Sequence, residues 1–177
     1  MPENEADLLR AAVVFTGAGL DATLKELIRV SLPLLLELNA QAHDKFERFV
    51  AGKLGSSDFA DARSLARYLA SPDPRERLIE DYVYELTGSS LQSAEQVQSA
   101  ASALGIEDSK LRKRIDGLRN LFVARNEISH ELDLQRPEKQ GDRTRRTRKM
   151  PTTIDLCHDG FDVAQLVINE VGALLDA

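Results

Sequence analysis

The sequence predicts an all-α protein: an up-and-down helical bundle of about six helices, with a long basic loop before the last one. Apolar residues recur at spacings of three and four along the 177-residue chain, as they do on helices that bury one side. Aromatic residues make up only 5% and tryptophan is absent, which favours packed helices over a β-sandwich. The length is typical of one domain, so we expect a single domain over residues 1–177.

The helix boundaries are predicted from proline, glycine and capping residues. Pro33 is expected to break or kink the chain between the first two helices, because a proline pushes the preceding residue out of α geometry. Asp73, Pro74 and Ser93 occupy typical helix-starting positions. The expected helices cover residues 5–31, 33–50, 57–70, 74–86, 94–105, 108–134 and 161–175, and a short extended piece is expected at 151–156. The long connection over 136–158 is expected to be functional, mobile or both.

The chain carries the features of a cytoplasmic protein. No apolar run approaches the ~18 residues of a membrane span. Residues 1–5 are acidic and lack the basic-then-apolar order of a signal peptide. Cys157 is the only cysteine, so no intrachain disulfide can form. We therefore expect a reducing cytoplasmic location and no membrane partner.

Basic residues are concentrated in one segment, although the whole chain has a formal net charge of −6. Within residues 136–149, only Glu138 and Asp142 oppose the cations, most of which are arginine. The planar guanidinium of arginine pairs two-pronged with phosphate. We predict that this basic segment (residues 136–149) binds a polyanion, and the alternative is an ordinary solvated loop. The predicted contacts are Arg136, Lys139, Arg143, Arg145, Arg146, Arg148 and Lys149.

Two other patterns are better explained by structure than by chemistry. Residues 13–19, Val-Val-Phe-Thr-Gly-Ala-Gly, are similar to the start of the dinucleotide-binding fold of sirtuin deacylases. The sequence that follows is helical rather than part of a βαβ unit, and the four zinc cysteines of that family are missing, so we interpret the glycines as a close helix contact. His43 and the pair Cys157-His158 offer no metal-ligand spacing. No cofactor and no metal site is predicted.

The most informative segment is Arg125-Asn126-Glu127-Ile128-Ser129-His130. At about 100° per residue, Arg125 falls near the centre of the apolar stripe of its helix, while Asn126 and His130 share one edge of that stripe. A buried arginine needs an anion or another partner, so a salt bridge to another helix is the first interpretation. The second is a groove in which the three side chains converge on a phosphate, where a histidine can move protons near neutral pH. The stripe consists of Leu111, Ile115, Leu118, Leu121, Phe122, Ile128 and Leu132.

An arginine, a polar residue directly after it and a histidine five positions on, late in a long helix of a small helical domain, resemble the signature of the HEPN family. The resemblance implies a metal-independent endoribonuclease, found in toxin–antitoxin, abortive-infection and RNA-processing systems, and commonly a homodimer whose two motifs face a shared cleft. It implies His130 as general acid/base, Arg125 as the stabiliser of charge on the phosphate, and Asn126 as the residue that orients His130 or the phosphate. The expected products are a 2′,3′-cyclic phosphate and a 5′-OH end.

The resemblance departs from one subgroup of the family. Members paired with nucleotidyltransferase antitoxins carry a modifiable tyrosine two residues after the histidine, and this chain has Leu132 there. Control by a cognate antitoxin protein is therefore expected without that modification. The alternative to a ribonuclease is a non-catalytic HEPN-like module that binds RNA or a nucleotide, or regulates a partner.

Overall fold

The computed structural model describes residues 3–55, 66–139, 141 and 143–177. The described residues form α-helices without β-strands, which confirms the predicted all-α fold. Ser57 and Asp58, the predicted start of the third helix, lie outside them. The elements are α1 (Glu3–Leu38), α2 (Ala40–Gly55), α3 (Pro74–Thr87), α4 (Ala94–Ala103), α5 (Asp108–Leu111), a 3-10 turn (Arg112–Arg114), α6 (Ile115–Glu131) and α7 (Met150–Leu175).

Helix α1 is longer than the sequence pattern predicts. It runs for 36 residues and includes Pro33 in its interior, so the predicted break at this proline is wrong. Leu32, Leu35 and Leu36 are all buried around the proline. Burying each leucine stabilises the helix by about 2 kcal/mol. The three contributions together outweigh the ~3 kcal/mol that an interior proline costs. The second helix consequently begins at Ala40, seven residues later than expected.

The predicted caps of α3 and α4 are confirmed. The carboxylate of Asp73 accepts a hydrogen bond from the backbone N–H of Glu76 at 2.9 Å, and the hydroxyl of Ser93 accepts one from Gln96 at 3.2 Å. The side chain of Gln96 in turn accepts from the N–H of Gln92 at 2.6 Å. These bonds satisfy amide groups that have no partner within their own helix.

The C-terminal part of the chain differs most from the prediction. The expected helix over 108–134 is divided into α5, the 3-10 turn and α6, and α6 ends at Glu131. The last helix begins at Met150 rather than at residue 161, and residues 151–156 are helical instead of extended. Leu156 and Gly160 are buried there, so packing carries the helix eleven residues further toward its N-terminus. The predicted loop over 136–158 therefore ends at residue 149.

Helices α1, α6 and α7 form the part of the bundle that positions the candidate site. Glycine allows their close approach: a Cβ at Gly160 of α7 would lie 2.6 Å from Thr16 of α1 and 2.9 Å from Leu121 of α6. Arg10, near the start of α1, binds the chain just before α7, so α1 and α7 run parallel. Helix α6 runs antiparallel to both. The buried side chains shared by these helices include Val13, Leu20, Leu24, Leu118, Leu121, Val163 and Val167.

None of the described helices combines the length and the apolar character that crossing a bilayer would need.

Candidate functional site

Arg125 lies where α6 crosses α1. Its side chain is half-buried, and its aliphatic part packs on Gly17, where an added Cβ would stand 3.4 Å from the Arg125 Cγ. The close helix contact predicted at the glycines is therefore confirmed at Gly17, whereas Gly19 has open space around it. Both glycines lie in the middle of α1, without the strand that a dinucleotide-binding turn needs.

The guanidinium of Arg125 is not paired with a carboxylate in the described part of the chain. Its Nη1 donates to the side-chain oxygen of Asn126 at 2.9 Å. A neutral amide does not compensate the positive charge of the arginine, and most of the five donors of the guanidinium have no acceptor among the described residues. The salt-bridge interpretation of Arg125 is therefore not what the structure shows.

Asn126 and His130 complete the edge predicted from the helical wheel. Asn126 is half-buried and His130 is exposed in the last turn of α6. The Asn126 amide is oriented by Arg125 rather than by His130. His130 has no hydrogen-bond partner among the described residues, and its side chain is exposed to solvent. Ser129, between them, is exposed as well.

A second cluster of charged side chains lies just beyond the end of α6, around Asp133. The Asp133 side chain is fully buried and pairs with two arginines from distant parts of the chain. The Arg10 Nε donates to one carboxylate oxygen at 2.8 Å, and the Arg148 Nε donates to both at 3.2 Å. Arg148 also donates to Glu127 at 2.8 Å. We call Arg10, Glu127, Asp133 and Arg148 the Asp133 cluster.

The charges of the Asp133 cluster stabilise one another. Burial disfavours the charged form of Asp133, but the hydrogen bonds from Arg148 and Arg10 outweigh it and hold the pKa of Asp133 below its ordinary value. Burial likewise opposes the charge of Arg148, while its bonds to Asp133 and Glu127 raise its pKa. These opposing effects leave the carboxylate ionised at neutral pH, as a buried ion needs when it is paired and hydrogen-bonded.

The backbone around Asp133 terminates α6 in an unusual conformation. Leu132 and Asp133 have φ angles of 54° and 59°, a left-handed geometry that costs roughly 1–2 kcal/mol per non-glycine residue. The Asp133 N–H donates to the carbonyl of Glu127 at 2.8 Å, and its carbonyl accepts from the Arg146 N–H at 2.7 Å. These bonds hold the backbone three residues after His130. They also place Arg146, near the end of the basic segment, beside the end of α6.

The basic segment is divided by these contacts into two groups. Arg148 belongs to the Asp133 cluster, Arg146 lies 3.4 Å from Glu127, and Arg145 lies 3.0 Å from Asp7. All seven cations were predicted to contact a polyanion, and in the structure these three have carboxylate partners within the protein. Together with Arg10 they share three carboxylates, those of Asp7, Glu127 and Asp133. The remaining four are exposed and have no ion pair with the described carboxylates: Arg136, Lys139, Arg143 and Lys149.

The Asp133 cluster was not predicted from the sequence. Arg10 carried a usable signal, because it lies within the apolar stripe of α1 that includes Leu9 and Val13, as Arg125 does in α6. Asp133 gave none, since a single aspartate at the end of a helix is an ordinary surface residue. Its two arginine partners come from positions 10 and 148, which only the fold brings together.

Other chemistry is not assembled at this site in the described residues. No group of three or more histidine, cysteine, aspartate or glutamate side chains is arranged to hold a metal ion. His43 lies on α2 beside Glu47 at 3.3 Å, and Cys157 and His158 lie on α7. None of these three side chains joins the Arg125–His130 edge.

Comparison of the chain with models of protein families, with curated proteins and with solved structures returns no match.

Proposed function

We propose that this protein is a metal-independent endoribonuclease that cleaves RNA by attack of a ribose 2′-OH on the adjacent phosphodiester. The observation that carries the proposal is the state of Arg125. It is a half-buried arginine without a carboxylate partner among the described residues, and the exposed His130 follows it on the same helix. A fixed guanidinium with free donors is suited to bind a phosphate.

Each residue has a distinct part in this mechanism. His130 removes the proton from the 2′-OH and returns a proton to the leaving 5′-oxygen, as general base and general acid. Arg125 stabilises the negative charge that develops on the non-bridging oxygens, because preorganised donors act most strongly where charge builds up. Asn126 orients the Arg125 fork through the bond already present. The products are a 2′,3′-cyclic phosphate and a 5′-OH end.

The four uncompensated cations of the basic segment supply the attraction for the RNA backbone. Arg136, Lys139, Arg143 and Lys149 are exposed, and they follow α6 in sequence. Each phosphate contact releases bound counterions, so affinity falls with salt. Replacing the four by alanine should flatten the dependence of log affinity on log salt. Replacing Arg145, which is paired with a carboxylate, should change the slope of log affinity against log salt by less than the loss of one phosphate contact would.

The cleavage proposal is tested with purified protein and a fluorescently labelled RNA in the presence of a chelator. We expect wild-type protein to produce 2′,3′-cyclic phosphate ends, His130→Ala to be inactive, and Arg125→Ala to cleave about 10²–10³-fold more slowly. His158→Ala is the matched control, since His158 is an exposed histidine on α7. Absence of cutting by wild-type protein, or equal cutting by all variants, would refute the proposal.

An RNA-cleaving chain endangers its own cell, so we propose that it is a toxin or defence effector held in check by a cognate antitoxin protein, and that it acts as a homodimer. Induced expression should arrest growth for wild type but not for His130→Ala. Growth arrest by both proteins would argue against cleavage as the cause.

A non-catalytic RNA- or nucleotide-binding module is the second candidate. It is favoured by the bond between Arg125 and Asn126, which already occupies one donor of the guanidinium. In that case RNA binding weakens in Arg125→Ala while no product forms with any variant.

A further inference from the structure

Helices α1 and α7 both expose large apolar side chains on the side away from the core. Six large apolar side chains are exposed there: Leu8 (70%), Phe15 (73%), Met150 (56%), Ile154 (44%), Phe161 (61%) and Ile168 (42%). We call them the outer face. At about 200 Å² for each large side chain, the exposed fractions of the six residues amount to roughly 700 Å² in total.

On α7 the outer face has the spacing of a helix-packing seam. Ile154, Cys157, Phe161, Ala164 and Ile168 follow one another at intervals of three and four residues, the pattern of a stripe that packs lengthwise against another helix. None of these positions carries a charge. The buried side of α7 uses different residues, including Leu156, Val163 and Val167, so the seam is not needed by the core.

On α1 the outer face combines large and small residues. Leu8 and Phe15 project from it, and Ala11, Ala18 and Ala22 lie within about 60° of Phe15 on the helix. Ala18 and Ala22 are exposed. The large side chains of an α7 seam can pack into the space above such alanines, so one chain carries both complementary halves of a helix–helix contact.

We propose that the outer face is the interface between two copies of this chain, with α1 of each copy packed against α7 of the other. A two-fold interface must be complementary to itself, and the alanine-containing stripe of α1 and the large-residue seam of α7 meet this requirement. The exposed area is close to the ~800 Å² that each partner contributes to a standard interface. A second copy therefore accounts for the surface without any further partner.

This interface leaves the candidate site open. Gly17, which packs on Arg125, and Phe15 are two residues apart and so point about 200° apart on α1. Each copy would therefore keep its own Arg125–His130 edge, in contrast to the shared cleft that the HEPN resemblance implies. The inference does not rest on the proposed ribonuclease activity, because it concerns another side of α1.

The interface is tested by analytical ultracentrifugation of the full chain over a concentration series. We expect a dimer for wild type, and at least a tenfold weaker association for Phe161→Asp and for Ala18→Trp, which fills the space above the alanine stripe. Tyr84→Asp is the control, since Tyr84 is 75% exposed on α3. Far-ultraviolet circular dichroism and thermal melting show whether each variant is folded.

Three results would overturn the proposal: a wild-type monomer at all concentrations, a folded Phe161→Asp variant that dimerises like wild type, or a dimer that only Tyr84→Asp disrupts. Because RNA cleavage is measured separately, a monomer that cuts RNA would refute the interface and the homodimer proposed above, but not the ribonuclease activity. A dimer that never cuts would refute the activity alone.

Discussion

Two arginines near the end of α6 have opposite surroundings. Arg148 donates to two carboxylates, one of them the fully buried Asp133. Arg125 is bound only to the neutral Asn126 in the described part of the chain. Both side chains are withdrawn from solvent to some degree, so neither is an ordinary surface charge. The difference indicates that Arg148 stabilises the protein, whereas Arg125 retains the capacity to bind an external anion.

The first prediction separates stability from activity. Arg148→Ala leaves Asp133 buried with one partner fewer, and we expect the free energy of unfolding to fall by about 3–5 kcal/mol. Arg125→Ala should change it by less than about 1 kcal/mol, because no ion pair is lost, while cleavage falls by about 10²–10³-fold. Urea unfolding and a cleavage assay measure the two effects. Equal losses of unfolding free energy in the two variants would contradict the distinction between a stabilising Arg148 and an anion-binding Arg125.

The second prediction concerns pH. The pKa of Asp133 is lower in the folded state than its ordinary value because Arg148 and Arg10 outweigh the effect of burial. A lowered pKa gives stability that is present above about pH 4–5 and is lost as the pH falls through the folded-state pKa. Asp133→Asn should therefore make the decline of unfolding free energy below about pH 5 shallower. An unchanged acid slope in this variant would contradict the pairing.

A third prediction uses a carboxylate with the opposite shift. Burial, and then the neighbouring charges of Asp162 and Asp155, raise the pKa of Asp159. The ionised Asp159 therefore lowers the stability of the folded protein at neutral pH. This destabilisation disappears as the pH falls and the carboxylate is protonated. Asp159→Asn should stabilise the protein at pH 7 by less than about 1 kcal/mol, with no gain at acidic pH. A destabilised variant at pH 7 would show that this carboxylate has a favourable partner.

The smallest expected effect tests how tightly Arg125 is held. Alanine in place of an interior helix glycine stabilises by roughly 1 kcal/mol, but at Gly17 the new methyl would stand 3.4 Å from the Arg125 stem. We expect Gly17→Ala to give less stabilisation than Gly52→Ala, whose site on α2 has nothing within 4 Å. If the new methyl displaces the Arg125 guanidinium, Gly17→Ala should also reduce the rate of RNA cleavage several-fold. Equal gains in both variants would mean that the contact is loose.

The sequence by itself determined the helical class, the caps at Asp73 and Ser93, and the position of Arg125 inside an apolar stripe. These are local properties, because periodicity and capping act within one or two helical turns. The glycine contact at Gly17 was also foreseeable, since glycine in a helix otherwise lowers stability.

The tertiary structure decided what local preference could not. Packing of α1 carried the helix through Pro33, and packing of α7 made residues 150–158 helical. The division of the basic segment depends on Asp7, Glu127 and Asp133, which are distant in sequence from one another or from the cations they bind. Charge pairing across the fold has no sequence periodicity, so an arginine that binds a carboxylate and one that is free look alike until the chain is folded.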